Sequence, residues 1–330
     1  MEQTVSLDEK DVQINMREQY NSIYYWKTIY DLNSAELAFL KEHNVKRIYI
    51  RYFDVALENT YPGGGIPRVM PIATTIFRQT PDKTMEVIPT VYITYEAMRN
   101  MKGVEAEYAN NIITRILAMT KGNNIPNVKE VQFDCDWTKT TQASYFELCR
   151  IAKDSLHNRG MILSSTIRLH QLSDLIPPVD RGVLMLYNTG ALKEPLTKNS
   201  ILNYSDIEPY LKSAEYDLPL DFAYPTFAWG VWFCNGTFKA IIRRTDFSDQ
   251  TLYQDQRNGT YKVVKDHYLE SHELCKGDII RLENSNHDEI VKVKHLVESK
   301  LRQDKYSVIL YHLDSTNLSK YTTNEIKGIY

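Results

Sequence analysis

A chain of 330 residues with 43% apolar and 25% charged side chains has the composition of a globular protein, and its formal net charge of −3 offers no basic footprint for a nucleic acid. No stretch approaches the ~20 consecutive apolar residues of a membrane span, and the opening MEQTVSLDEKD lacks the basic-then-apolar pattern of a signal peptide. Cys135, Cys149, Cys234 and Cys275 form no C-x-x-C pair and read as scattered thiols, while 23 tyrosines supply flat apolar faces with polar tips that suit a sugar-like ligand.

Short apolar runs alternate with helical patterns, which predicts a parallel sheet. The first strand is expected over Ser22 to Trp26, followed by a helix whose cap is Asn33 and whose capping-box partner is Glu36, running through Glu42. The second strand is Arg47 to Asp54. Gly63, Gly64, Gly65 and Pro67 then predict an irregular loop, with an extra strand in Val69 to Phe77. Val87 to Thr94 is the third strand, Ala106 to Thr120 a helix, and Val131 to Asp136 the fourth strand. A helix over Ser144 to Leu156 leads to strands in Met161 to Arg168 and Val183 to Tyr187, then a short helix over Asp206 to Leu211 and a seventh strand over Leu218 to Tyr224. Asn235-Gly236 between two alternating runs predicts a hairpin over Val231 to Ile242. A helix over Glu289 to Leu301 and a strand over Ser307 to His312 complete the series.

Eight strand-helix units predict a closed α/β (β/α)8 barrel, a TIM barrel, with a β-hairpin inserted after strand seven. The rival is a doubly wound sheet carrying a small β domain from Trp229 to Asn286. The barrel is expected over 22–315, with insertions at about 55–85 and 229–286, an N-terminal extension over 1–21 and a tail over 316–330.

Barrel chemistry belongs at the C-terminal ends of the strands, which directs attention to Glu130 to Thr141, EVQFDCDWTKTT. Residues two apart share a strand face, so Gln132, Asp134 and Asp136 point one way, into the mouth, and Phe133, Cys135 and Trp137 the other. Two close carboxylates repel, and a partly enclosed mouth raises the pKa of one of them, as an acid catalyst requires; the plainer role is to bind an arginine or backbone N–H groups, or to lie in open solvent. Arg168 and His170 end strand five, where the guanidinium could pair with the aspartates and the imidazole could shuttle a proton. Glu96, after strand three, is the preferred additional acid, ahead of Asp54, Asp221 and Asp314. Tyr187, Asn188, Tyr224, Trp229 and Trp232 are expected to form a stacking and hydrogen-bonding platform, although aromatic residues at such spacing also build cores.

The segment Phe133-Asp134-Cys135-Asp136-Trp137-Thr138 resembles the strand-four signature D-x-D-W-E of family 18 glycoside hydrolases, chitinase-like barrels whose final glutamate protonates the glycosidic oxygen. Leu184-Met185-Leu186-Tyr187-Asn188 is similar to that family's strand-six M-x-Y-D, and Ala228-Trp229-Gly230 to a tryptophan on the floor of its sugar pocket. The chain as a whole resembles bacterial glycosidase-like barrels. Three positions depart from the pattern: Thr138 stands where the acid should be, Val131 where the first aspartate should be, and Asn188 where an aspartate follows the tyrosine. A threonine hydroxyl is no general acid near neutral pH, so the family mechanism does not carry over unchanged.

The resemblance implies a protein that acts on or binds a carbohydrate at the barrel mouth, with Asp134, Asp136 and Glu96 in acid and base roles. It also implies a periplasmic or cell-surface location after loss of a signal. The alternative is a sugar-binding or scaffold barrel without turnover. A metal-dependent hydrolase is the third reading, with Asp54, Asp134, Asp136, His170, His312 and Asp314 as ligands, although no H-x-H or H-E-x-x-H pattern supports it. No G-x-G-x-x-G, P-loop or G-x-S-x-G motif occurs, so no cofactor is expected.

Overall fold

The computed structural model describes residues 18–58, 68–212, 216–301, 303 and 305–330. Eight parallel strands close on themselves: β1 (Asn21–Tyr25), β2 (Val45–Glu58), β3 (Glu86–Ile93), β4 (Glu130–Cys135), β5 (Ile162–Ile167), β6 (Arg181–Met185), β7 (Leu220–Pro225) and β8 (Val308–Tyr311). Closure is made by β8 pairing with β1 at Ser22↔Ile309 and by β1 pairing with β2 at Ile23↔Ile48. This is the (β/α)8 barrel expected from the strand count, and the doubly wound alternative is excluded by that closure.

Helices cover the outside where the apolar periodicity placed them. Helix α1 (Ser34–Glu42) opens on a complete capping box between Asn33 and Glu36. Helix α2 (Tyr95–Asn100) is a short turn capped by Thr94, and α3 (Glu105–Gly122) buries Ile112, Ile113 and Ile116. Helices α4 (Gln142–His157), α5 (Tyr204–Leu211) and α6 (His287–Lys300) continue the layer. Beyond β8, α7 (Ser315–Leu318) and α8 (Thr323–Ile329) fold back on the barrel, where the Tyr330 hydroxyl donates to Ser22 O at 3.1 Å.

The extra strand after β2 is Arg68–Ile72, antiparallel to the end of β2, and Ile76–Phe77 pairs with Ile29–Tyr30. The glycine run Gly63–Gly65 and Pro67 lie outside the described residues. After β7 the hairpin Ala228–Cys234 with Thr237–Ile242 turns at Asn235 and Gly236, both at positive φ, as a tight two-residue turn requires. It is one edge of a five-stranded antiparallel sheet completed by Tyr253–Asp255, Thr260–Val263 and Ile279–Asn284. That sheet has its own small core of Ile242, Phe247, Tyr253, Val263, Leu269, Leu274 and Ile280.

A buried ion pair ties this sheet to the barrel. The Arg281 Nε donates to Glu283 Oε1 at 2.7 Å, and its other nitrogens donate to the carbonyls of Leu192 and Glu194, in the loop after β6, at 2.9 and 2.7 Å. Glu283 in turn accepts from Ser200 Oγ at 2.5 Å and Trp229 Nε1 at 2.8 Å. Every polar atom of the Glu283 carboxylate is thereby satisfied in a site that water does not reach, the condition for burying a charge at tolerable cost.

Candidate functional site

The β4 side chains alternate as the strand period requires: Gln132 and Asp134 face the barrel axis, while Trp137 turns outward and lies buried against Tyr145. On β5 the same alternation brings Thr166 and Arg168 to the same side. Thr166 Oγ1 donates to Asp134 Oδ1 at 2.7 Å, Arg168 Nη2 donates to the same oxygen at 3.1 Å, and Arg168 Nε holds Asp136 Oδ1 in a short ion pair. One guanidinium thus bridges both aspartates. Asp134 is 4% exposed, whereas the Asp136 side chain is 51% exposed at the rim. Burial pushes the Asp134 carboxyl above its ordinary value; Arg168 opposes that and the Asp136 charge reinforces it. Burial works against the Arg168 charge too, but the two carboxylates hold its pKa above normal.

Beneath the triad, Tyr24 on β1 donates to Gln132 Oε1 at 2.7 Å and packs against Tyr49 of β2 at 4.9 Å. Tyr92 of β3, opposite Asp134 in the sheet register, is pushed up to about 12 by burial and then by the Asp136 and Asp134 charges. A second ion pair on the same rim joins Arg51 to Asp54, with Nε to Oδ1 at 2.7 Å. These residues are three apart and in a regular strand would face opposite ways. The β2 register shifts between Arg51 and Phe53, and that bulge turns both inward.

An aromatic wall rises from the opposite side of the mouth. Tyr187 lies 4.9 Å from Tyr311 and 6.0 Å from Phe227, Phe227 lies 4.9 Å from Trp229, and Tyr311 lies 5.8 Å from Trp26. Burial, followed by the charge of Asp134, raises the Tyr311 hydroxyl well above its ordinary value, so it remains a neutral donor at any physiological pH. The Trp229 indole is fixed by its bond to Glu283, which leaves a half-buried ring face at the wall.

Position 138, the acid in the resembled motif, carries an exposed hydroxyl bonded to Thr140 Oγ1 at 2.9 Å, while Thr141 Oγ1 accepts from its backbone N–H at 3.0 Å. Glu96 stands on the exposed first turn of α2; its neighbour Tyr95 meets Thr140 Oγ1 at 3.2 Å, so the loops after β3 and β4 abut.

The other expected residues divide. His170 is exposed on a single 3-10 turn, Leu169–Ser173, and makes no side-chain hydrogen bond in the triad. The buried Gln171 beside it accepts from Arg168 N at 2.8 Å and donates to Trp137 O at 3.1 Å, so it fixes the Arg168 loop to the β4 loop. Asn188, at φ 56°, is exposed just beyond Tyr187, its N–H bonded to Ile201 O at 2.7 Å. The structure does not bring Tyr224 to the mouth: it is fully buried, and the nearby charged and phenolic groups that raise its hydroxyl after burial itself are Glu298 and Tyr306, outside the barrel wall. Trp232 belongs to the inserted sheet and donates to Asp278 Oδ2 at 2.8 Å. Asp221 lies near the opposite end of the barrel, bonded to Arg181 Nη2 at 3.0 Å and Ser307 N at 2.7 Å, and Asp314 caps α7 through Asn317 N at 3.0 Å.

Gln171, Thr166, Tyr311 and Phe227 were not singled out by the sequence. Thr166 was within reach, since it lies two residues before Arg168 on one strand face. Among the described residues, no three His, Cys, Asp or Glu side chains gather where they could hold a metal ion, and no helix is long and apolar enough to cross a membrane.

The sequence matches no family model and no curated protein. Solved structures do align with it over nearly its full length. The Group IV chitinase of Ostrinia furnacalis superposes with a TM-score of 0.54 at 11% identity, covering 94% of this chain and 98% of that one. A chitinase from Chromobacterium violaceum gives 0.53 at 10% identity over 94% and 98%. The spore cortex-lytic enzyme SleL of Bacillus megaterium gives 0.51 at 12% identity over 95% of this chain and 75% of its own. At such identities the likeness concerns the fold: the chain is a closed α/β barrel of the kind found in these glycoside-hydrolase-like proteins.

Proposed function

We propose that the barrel mouth is a glycan-binding site of the chitinase-like type that holds its sugar without the acid-catalysed cleavage of that family. The observation that carries this reading is the bridging of Asp134 and Asp136 by Arg168, next to a hydroxyl at Thr138. The carboxyl of Asp136 is neutralised by the guanidinium, and Asp134 is sequestered beneath it, so neither is placed to release a proton to a glycosidic oxygen at the rim. In the wall facing the triad, the half-buried rings of Tyr311 and Trp229, backed by the buried Tyr187 and Phe227, offer faces for stacking and the Tyr311 hydroxyl a neutral hydrogen-bonding group, which is what a sugar ring requires.

One observation favours a second reading, slow hydrolysis with Glu96 as the acid. The Tyr95–Thr140 contact brings the start of α2 against the loop that carries Thr138.

Titration calorimetry against N-acetylglucosamine oligomers, the sugar bound in one structural neighbour, and a reducing-end assay over a wider glycan panel separate these readings. Binding without turnover is the expected result, with affinity lost in Tyr311→Ala. Turnover abolished by Glu96→Gln would establish hydrolysis instead, and an intact protein that binds no glycan in the panel would remove both readings.

A further inference from the structure

A cavity of about 420 Å³ lies beside the mouth, where the end of β7, the inserted sheet, the start of α6 and the turn between α7 and α8 meet. That volume falls in the range of small-ligand sites. Two ring-bearing residues, Phe227 and Tyr321, line it together with the polar residues Thr226, Thr245, Asn284 and Lys320. Tyr321 is held in place by a bond from its hydroxyl to Ser285 O at 2.9 Å. Thr226 is 1% exposed, and its buried hydroxyl has no hydrogen-bond partner among the described residues. Lys320 reaches Thr245 Oγ1 and Asn317 Oδ1 only at 3.3 and 3.4 Å, so an ammonium with three donors retains capacity.

The charge of the wall narrows the ligand. Asp288 and Glu325 offset Lys320, and the first turn of α6 is already answered by its own cap, with Asn286 Oδ1 accepting from Glu289 N at 3.2 Å. Phosphates and carboxylates are therefore disfavoured. Ring faces alternating with neutral amides and hydroxyls suit a neutral ring with apolar faces and a polar rim. Phe227 supplies the link to the mouth, because the same ring that lines the cavity packs against Tyr187, Tyr311 and Trp229.

We infer that this cavity is an accessory sugar subsite that takes a further unit of the glycan bound in the mouth. The inference rests on the reading of the mouth as a glycan site. Linking two occupied subsites through one ligand raises affinity without new contacts at either, so affinity should climb with oligomer length.

The test is calorimetry with N-acetylglucosamine dimer and hexamer against the intact protein and a Lys320→Met/Asn284→Ala variant, both substitutions being at exposed positions. The intact protein should bind hexamer about tenfold more tightly than dimer, a difference of about 1.4 kcal/mol. In the variant that gain should shrink to less than about threefold, with dimer affinity unchanged. An equal gain in both proteins, or none in the intact one, overturns the subsite. If the intact protein binds neither oligomer, the mouth reading fails separately, and crystals soaked in N-acetylglucosamine then decide the cavity alone. Sugar density between Phe227 and Tyr321 keeps the subsite; an empty cavity removes it.

Discussion

Arg168→Met isolates the charge relation at the mouth. The substitution leaves Asp134 at 4% exposure with Thr166 as its remaining donor, and leaves Asp136 without its ion pair at a half-exposed rim. Removing one partner of a buried pair costs about 3–5 kcal/mol, whereas loss of an exposed pair costs about 0–1 kcal/mol. Asp134 can escape part of the penalty by taking up a proton, and Thr166 still bonds to it, so the expected loss near neutral pH is about 3 kcal/mol. At about 0.7 kcal/mol per kelvin of unfolding entropy for 330 residues, that is a fall in Tm of about 4 °C.

The sign with pH follows from burial. In the folded protein the Asp134 pKa lies above the ordinary aspartate value, so the folded state holds a proton more tightly than the unfolded chain does. Its contribution to stability is therefore complete below the unfolded value and declines as pH rises through the folded one. Loss of Arg168 removes the main influence holding that pKa down and extends the decline upward. Calorimetric melts at about pH 4 and about pH 8 should show nearly coincident curves for the two proteins at the acid end and the full separation at the alkaline end. Adding Asp134→Asn to Arg168→Met should recover most of the loss. An equal loss at both pH values, or no recovery in the double variant, would refute the account of Asp134 as a charge that Arg168 makes tolerable.

Two further outcomes concern the frame around the mouth. Glu283→Ala leaves Arg281 buried without its carboxylate and Trp229 Nε1 without its acceptor; a loss of about 3–5 kcal/mol in denaturant melts is expected, with weaker glycan binding where Trp229 becomes free to rotate. Gly182→Ala places a methyl 2.6 Å from Leu220 Cδ2 and 2.9 Å from Ile167 Cγ1 at the start of β6, so overpacking should cost about 1–3 kcal/mol; an unchanged Tm would show that these side chains yield freely.

The frame of the barrel was legible because its signals are local. The capping box at Asn33 and Glu36, the Asn235-Gly236 turn and the period-two face shared by Asp134 and Gln132 each depend on residues within a few positions of one another. The site was legible only in part. Asp221 and Tyr224 are three apart on β7 and fall on opposite faces, so both could not serve one mouth; the register sends Tyr224 out with Phe222, which meets Tyr306 at 5.0 Å. The sequence offers Asp54 as a candidate acid but not its pairing with Arg51, since only a bulge makes residues at that spacing neighbours. Within the insertion expected over 229–286 the sequence resolves only the hairpin, because strands such as Tyr253–Asp255 and Thr260–Val263 are three or four residues long, too short to show alternation.

The departures from the chitinase-like motif fit one another electrostatically. Two aspartates at the mouth of a barrel, one of them buried, repel, and a charge so placed must be paired or protonated. In the motif that Phe133 to Thr138 resembles, a third carboxyl stands two residues beyond the second aspartate. Here that position is a hydroxyl held by Thr140, which contributes neither a charge nor an acidic proton. Arg168 takes up the balance from the neighbouring strand, and Gln171 ties its backbone N–H to Trp137 O, fixing the loop from which the guanidinium reaches both aspartates. With Arg51 and Asp54 already paired, the acidic and basic side chains named at the mouth are tied to one another, and the proposed role in holding a sugar ring rests on the aromatic wall beside them.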